Sequence, residues 1–161
     1  MTISVGAMLP DAMLLQMGAN GPETVSLAAK LLGRKVVIFG LPGAFTGTCT
    51  TAHVPSFIRT MDKLTAKGVD EVICLSVNDP FVMQAWGAST GADAAGITML
   101  GDGDAAFTKA IGMAFTVPAI GFHDRSKRYA IFADNGMIKV FHPEPASGCE
   151  ISGGEAMLAA I

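Results

Sequence analysis

Charged residues are scarce in this chain, 16% of its 161 residues, while 50% are apolar. That balance excludes intrinsic disorder, which needs the reverse. Basic residues number 11 against 14 acidic ones, and no Lys/Arg cluster is long enough to track a phosphate backbone, so no nucleic-acid partner is expected. Long apolar runs are missing too; nothing approaches the roughly 18 to 20 residues of a membrane span. The opening Met-Thr-Ile-Ser-Val-Gly lacks the basic flank and apolar run of a secretion signal. The expectation is a cytoplasmic protein that meets no membrane. With only three cysteines, an odd count, a disulfide framework is excluded as the organising device. His53, His123 and His142 have no metal-ligand spacing, and Gly101-Asp-Gly-Asp104 fits neither a dinucleotide fingerprint nor an EF-hand, so no cofactor and no metal is expected. The length suits one domain, residues 1–161.

What the chain does contain is an alternation of strands and helices. Ser26 to Leu32 reads as a short helix stopped by Gly33, and Lys35 to Phe39 as a buried strand. Val54, Phe57, Ile58, Met61 and Leu64 recur at helical spacing, so a helix is expected from near residue 48 to about 66. Pro55 should kink that helix or make its first turn irregular. Val72 to Val77 is a second strand. Asp79 and Pro80 cap a helix over Phe81 to Ser89, and Trp86 on it reads as core packing. A strand at Ile97 to Leu100 and a helix at Ala105 to Ile111 come next. Asp134-Asn-Gly136 joins Arg128–Ala133 to Met137–Phe141 as a hairpin, and Ser152 to Ile161 closes the chain as a helix. Early strand-helix alternation with a late hairpin predicts a mixed sheet covered on both faces, a three-layer α/β/α sandwich.

Of the three thiols, Cys49 has the most chemical position. It lies just past a strand and a tight turn, at the start of a helix, where ligands gather in α/β folds. Unpaired backbone N–H groups and the positive end of the helix dipole favour a thiolate there. Three residues earlier stands Thr46, whose hydroxyl cannot form a disulfide but can donate and accept hydrogen bonds. His53 lies four residues after Cys49, so both could share one helix face. Three functions stay open on these residues alone: a peroxide-reducing thiol, a thiol-disulfide exchanger, and a cysteine-histidine hydrolase. A non-catalytic binding or chaperone domain is the reading in which Cys49 is filler.

Pro42-Gly-Ala-Phe-Thr46-Gly-Thr-Cys49 resembles the peroxiredoxin motif P-x-x-x-T-x-x-C. Lys35-Val-Val-Ile-Phe before it, Thr51-Ala-His-Val-Pro-Ser-Phe57 after it, Ser76-Val-Asn-Asp-Pro-Phe-Val-Met83, Trp86-Gly87 and Ser126-Lys-Arg-Tyr-Ala-Ile131 are similar to the type II group of that family, the atypical two-cysteine or peroxiredoxin 5 group. The resemblance implies a thioredoxin-like fold and a thiol peroxidase acting on hydrogen peroxide and organic hydroperoxides. It implies Cys49 as the peroxidatic cysteine and Thr46 as a hydrogen-bond partner of the peroxide. Pro42 would shape and shield the pocket, and Arg128 would hold thiolate and peroxide oxygens. His53 is expected to support the pocket rather than to act as acid or base. Gly47 departs from the group, which frequently has proline there, so a looser loop is expected.

The same resemblance leaves the reductive step divided. Cys74 matches the position that plant members are thought to use as a resolving thiol, and Cys149 the loop that carries the resolving cysteine in animal members. A third route uses glutathione with glutaredoxin, or thioredoxin, as the external reductant. The plant-like segment around Cys74 ranks that thiol and the external route ahead of Cys149. A homodimer with contacts around the active-site end is implied as well.

Overall fold

The computed structural model describes residues 2–161. Its centre is a seven-stranded mixed sheet. Strands β1 (Met13–Gly18) and β2 (Gly21–Ser26) form an N-terminal hairpin, followed by helix α1 (Leu27–Leu31) and strand β3 (Lys35–Gly40). A π-helical turn at Cys49–His53 leads into α2 (Val54–Ala66), then β4 (Glu71–Ser76), α3 (Pro80–Thr90) and β5 (Thr98–Gly101). After α4 (Ala106–Ala110) come β6 (Ala114–Val117) and β7 (Phe122–Ser126), a separate two-stranded sheet. The hairpin β8 (Tyr129–Asp134) and β9 (Met137–Pro143) and the helix α5 (Gly154–Ala160) complete the order.

Across the main sheet the strands run β2-β1-β5-β4-β3-β8-β9. β3, β4 and β5 are parallel, joined through α2 and α3; β8 lies antiparallel to β3, with Gly40 opposite Tyr129. Alternation along the strands sends side chains to two apolar layers. Val37, Phe39, Val72 and Cys74 meet Val54, Phe57, Met83, Trp86 and Met157 from α2, α3 and α5 on one face. Val36, Ile38, Ile73 and Leu75 meet Leu27, Leu31 and Phe107 from α1 and α4 on the other. This is the expected α/β/α sandwich with a mixed sheet and thioredoxin-like topology.

The expected elements are present with their ends moved by one or two residues. Ser26 caps α1 by accepting from Ala29 N, and Asp79 caps α3 by accepting from Val82 N, with Pro80 in the first turn. Asn135 and Gly136 both hold positive φ in the β8–β9 turn, as a primed hairpin turn requires. Two hairpins were not read from the sequence. β1–β2 turns at Gly21 (φ 108°), but Gly-Pro-Glu-Thr offers no alternating pattern because β2 is an exposed edge strand. β6–β7 is interrupted by a bulge and is exposed or half-buried at every residue but Ser126, so it too lacks an apolar period.

Candidate active site

β3 delivers the chain to Gly40, and the segment from Leu41 to Thr48 turns it toward α2. Pro55 explains the geometry of the entry. Its ring has no N–H to give to the Thr51 carbonyl and would collide with it in a regular helix. The chain widens instead into the π-helical turn, in which Val54 N reaches Cys49 O. The single helix expected from near residue 48 is therefore a π turn followed by an α-helix.

Several contacts hold the loop from outside. Ala44 N donates to Asn78 Oδ1 (3.0 Å), which also accepts from Ser76 Oγ (2.6 Å). Arg125 Nη1 donates to the Pro42 carbonyl (3.0 Å), and its guanidinium carbon lies 4.8 Å from the centre of the Phe122 ring. A Cβ at residue 43 would overlap the Arg125 Nη1 position, so glycine is what lets the guanidinium approach. Thr46 Oγ1 donates to Gly43 O (2.6 Å), and Thr50 N to Thr46 O (3.1 Å). The flexibility expected of Gly47 is thus offset by cross-links on either side of it.

Cys49 is 1% exposed. Arg128, just ahead of β8, is 8% exposed and reaches the sulfur with Nη2 (3.4 Å). Its Nη1 lies 3.0 Å from His53 Nδ1, and His53 Nε2 lies 2.9 Å from the Ser152 carbonyl. These partners fix the imidazole. A guanidinium can only donate and a carbonyl can only accept, so Nδ1 holds the lone pair and Nε2 the proton. Burial, together with the adjacent Arg128 charge, lowers the His53 pKa to about 3. With its basic nitrogen occupied by Arg128, His53 has nothing with which to take a proton from Cys49. That removes the cysteine-histidine hydrolase.

Arg128 also lines a cavity of about 400 Å³, together with Pro42, Thr48, Phe115, Lys127 and the 144–148 segment. Cys49, Arg128 and His53 therefore come together, with Pro42 at the same opening. Thr46 stands in the adjoining loop and is not among the residues lining this cavity. Cys74 is wholly buried at mid-sheet, opposite Phe39 on one side and Met99 on the other; burial pushes its thiol well up, and Cys49 adds to that while Arg128 opposes it. Cys149 is half-buried in the loop before α5, its Sγ 3.9 Å from Ser152 Oγ. All three thiols are free.

Sequence reasoning missed Arg125, Asn78, Glu144 and Ser152. Asn78 lay inside a quoted segment, but its side-chain bond to Ala44 spans 34 residues. Glu144 and Ser152 form a closed loop that has no periodic signature. Trp86, expected in the core, is fully buried there and also donates from Nε1 to Thr50 Oγ1 (3.1 Å), inside the π turn. No helix of the described residues is long and apolar enough to cross a membrane.

Comparison with known proteins agrees with this geometry. The family model described as Redoxin matches residues 4–158. Peroxiredoxin-2E-2, chloroplastic, from Oryza sativa subsp. japonica is 44% identical over 99% of this chain and 73% of its own length. Peroxiredoxin-2C from the same plant is 42% identical over 99% and 98% of the two chains. Among solved structures, reduced Prx3 from Vibrio vulnificus in complex with hydrogen peroxide superposes with a TM-score of 0.92 at 44% identity, covering 99% of both chains. Oxidized Prx3 from the same organism gives 0.91 at 44%, over 99% of this chain and 100% of that one. With the redoxin match running nearly end to end and such relatives on either side of it, the chain belongs to the peroxiredoxin family and is a thiol peroxidase that works by cysteine chemistry.

Proposed function

We propose that the chain acts as one redoxin domain over residues 1–161, with Cys49 as the peroxidatic cysteine. The observation that carries this is the Arg128 Nη2 contact at 3.4 Å from Cys49 Sγ, in a site where the sulfur is 1% exposed. A guanidinium held against the sulfur is placed to donate to it and to meet negative charge that develops beside it. Of the three cysteines, only Cys49 receives a hydrogen bond from a guanidinium.

Hydrogen peroxide or an organic hydroperoxide enters at the Pro42 side. The Cys49 thiolate attacks the terminal oxygen; the S–O bond forms as the O–O bond breaks. Cysteine becomes the sulfenic acid, and the other oxygen leaves as hydroxide or alkoxide and takes a proton to become water or an alcohol. Arg128 stabilises the charge growing on that oxygen, from a position already fixed by His53. Thr46 Oγ1 directs its own hydrogen to Gly43 O, so its lone pairs are left to accept from the peroxide O–H and orient it. Pro42 walls the pocket.

Reduction requires a thiol to attack the sulfenic sulfur, forming a disulfide and releasing water. Cys74 is hydrogen-bonded into parallel strands on both sides, and its raised pKa leaves little thiolate, which argues against it as the resolving residue. The external route, by glutathione with glutaredoxin or by thioredoxin, fits best; Cys149 is the internal alternative, since it sits on a loop. Three free thiols suit a reducing compartment such as the cytoplasm. Phe45 and Phe81, both more than half exposed, follow the carboxyl ends of the parallel strands β3 and β4, and support a homodimer joined at the active-site end.

A sulfenic-acid trap tests the assignment. After one equivalent of peroxide, the adduct should lie on the Cys49 peptide; an adduct on the Cys74 or Cys149 peptide instead would overturn it. Non-reducing peptide mass spectrometry of the Cys149→Ser and Cys74→Ser variants then separates the reductive routes. A Cys49–Cys74 disulfide required for turnover would contradict the external route.

A further inference from the structure

Glu144 follows β9 directly, and the loop it opens returns to the start of α5. Three successive backbone amides converge on one of its carboxylate oxygens: Glu150 N (3.0 Å), Ile151 N (2.9 Å) and Ser152 N (2.8 Å). Ser152 Oγ donates to the same atom (2.7 Å). Such a run of amides is a concave anion site, and here the chain supplies its own anion. Burial raises the Glu144 pKa, but the bonds from Ser152, Ile151 and Glu150 outweigh it and hold the carboxyl below its ordinary range. At its backbone end, Glu144 N donates to Arg128 O (2.9 Å).

Ser152 is thereby fixed at its amide and its hydroxyl, and its carbonyl is the acceptor for His53 Nε2 (2.9 Å). His53 in turn presents Nδ1 to Arg128, and Arg128 reaches Cys49. Each link admits one direction only: carboxylate accepts, carbonyl accepts, imidazole donates at Nε2 and accepts at Nδ1, guanidinium donates. If the Ser152 carbonyl swung away, the ring would lose the partner that keeps its proton on Nε2, and the lone pair facing Arg128 would no longer be guaranteed.

We propose that Glu144 is a positioning residue for the peroxide step, holding Arg128 on the sulfur through Ser152 and His53. This rests on the assignment of Cys49 and Arg128 above. Glu144 lines the outer cavity, but its hydrogen-bonded carboxylate oxygen is turned to the 150–152 loop and makes no hydrogen bond to the Cys49 sulfur. Its effect is geometric, and it reaches the chemistry through one imidazole.

The experiment is a double-mutant cycle on the full chain, read by kcat/KM for hydrogen peroxide with reductant in excess. Glu144→Gln keeps the size but loses the charge and places an amide group among four donors. It should lower kcat/KM by about tenfold, as loss of orientation does, and in a His53→Gln background it should lower it hardly further. Nitrogen-resolved NMR of the imidazole should show Nε2 protonated in the parent and a mixture of tautomers in Glu144→Gln. A merely structural Glu144 would instead give additive losses and an unchanged His53 spectrum, and that result overturns the proposal. If Glu144→Gln does not fold, Ser152→Ala replaces it in the same cycle; that change removes one of the four donors and keeps the carbonyl. Arg128→Met separates the two levels. If it too leaves turnover unchanged, the assignment of Arg128 fails; if it lowers turnover while neither Glu144→Gln nor Ser152→Ala does, only the role of Glu144 fails.

Discussion

Cys49 and Cys149 sit at the two ends of one hydrogen-bonded path, yet their surroundings have opposite character. The Cys49 sulfur is sealed from water and faces a guanidinium. Cys149 is the more exposed of the two, but burial raises its pKa; the Ser152 hydrogen bond and the Arg128 charge oppose this without overcoming it, and the carboxylates of Glu144 and Glu155 add smaller upward pushes. Accessibility and nearness to a cation are thus separated in this molecule. A small oxidant that penetrates a closed pocket meets the thiol beside a cation. A bulky reagent working from solvent meets the other one first.

The sharpest break of that comparison is to exchange which thiol is missing. Cys49→Ser should cost at least about 10³-fold in the rate of peroxide consumption, whereas Cys149→Ser should leave the first, sulfenic-forming step at the parental rate in single-turnover measurements. Equal losses in the two variants would erase the distinction. Next in size, Arg128→Met keeps the length of the side chain and removes the cation; kcat/KM for peroxide should fall about 10²-fold, the scale on which a pre-positioned charge acts.

A smaller effect lies in stability. The unfolded imidazole takes up a proton below about 6.5, but folded His53 resists protonation until about 3. Protons therefore favour the unfolded chain across that window. The stabilising contribution is fully present above pH 6.5 and is lost as pH falls, on the order of 1 kcal/mol per pH unit. Urea titrations at pH 7, 6 and 5 should show this slope in the parent and a flatter one in His53→Gln. Identical slopes would mean that the folded ring titrates normally. The mildest contrast is in alkylation by iodoacetamide. In a Cys49→Ser background the Cys149 reaction should rise with pH along a midpoint above that of free cysteine, while Cys74 stays unlabelled until the chain unfolds.

Most of the sandwich was legible because its central strands are buried beyond their first residue and α2 is amphipathic, and Asp79-Pro80 and Asn135-Gly136 carry their own punctuation. The corner at Cys49 was legible for a different reason: Pro42, Thr46 and Cys49 lie within eight residues and resemble a known motif, and Arg128 sits in a second recognisable segment. What stayed hidden depends on pairs far apart in the chain. The Arg125–Pro42 contact spans 83 residues, and the His53–Ser152 contact spans 99. Neither residue of either pair marks the other. The β1–β2 hairpin was hidden by exposure, since an edge strand with one wet face and a Gly-Pro start shows no apolar rhythm. Pro55 foretold an irregular entry to α2, but a kink and a widened turn would each relieve its clash with the Thr51 carbonyl, and the chain takes the π-helical turn.

The bond from Trp86 to Thr50 makes the protein its own indicator. The chain has one tryptophan, and its indole is tied to the turn that begins with Cys49. Emission from that single tryptophan reports on the surroundings of Cys49 without a label. Any rearrangement that pulls Thr50 off the indole changes the intensity or wavelength of the signal. Peroxide arrival and thiol rescue can then be followed in real time, in the unmodified molecule, by light alone.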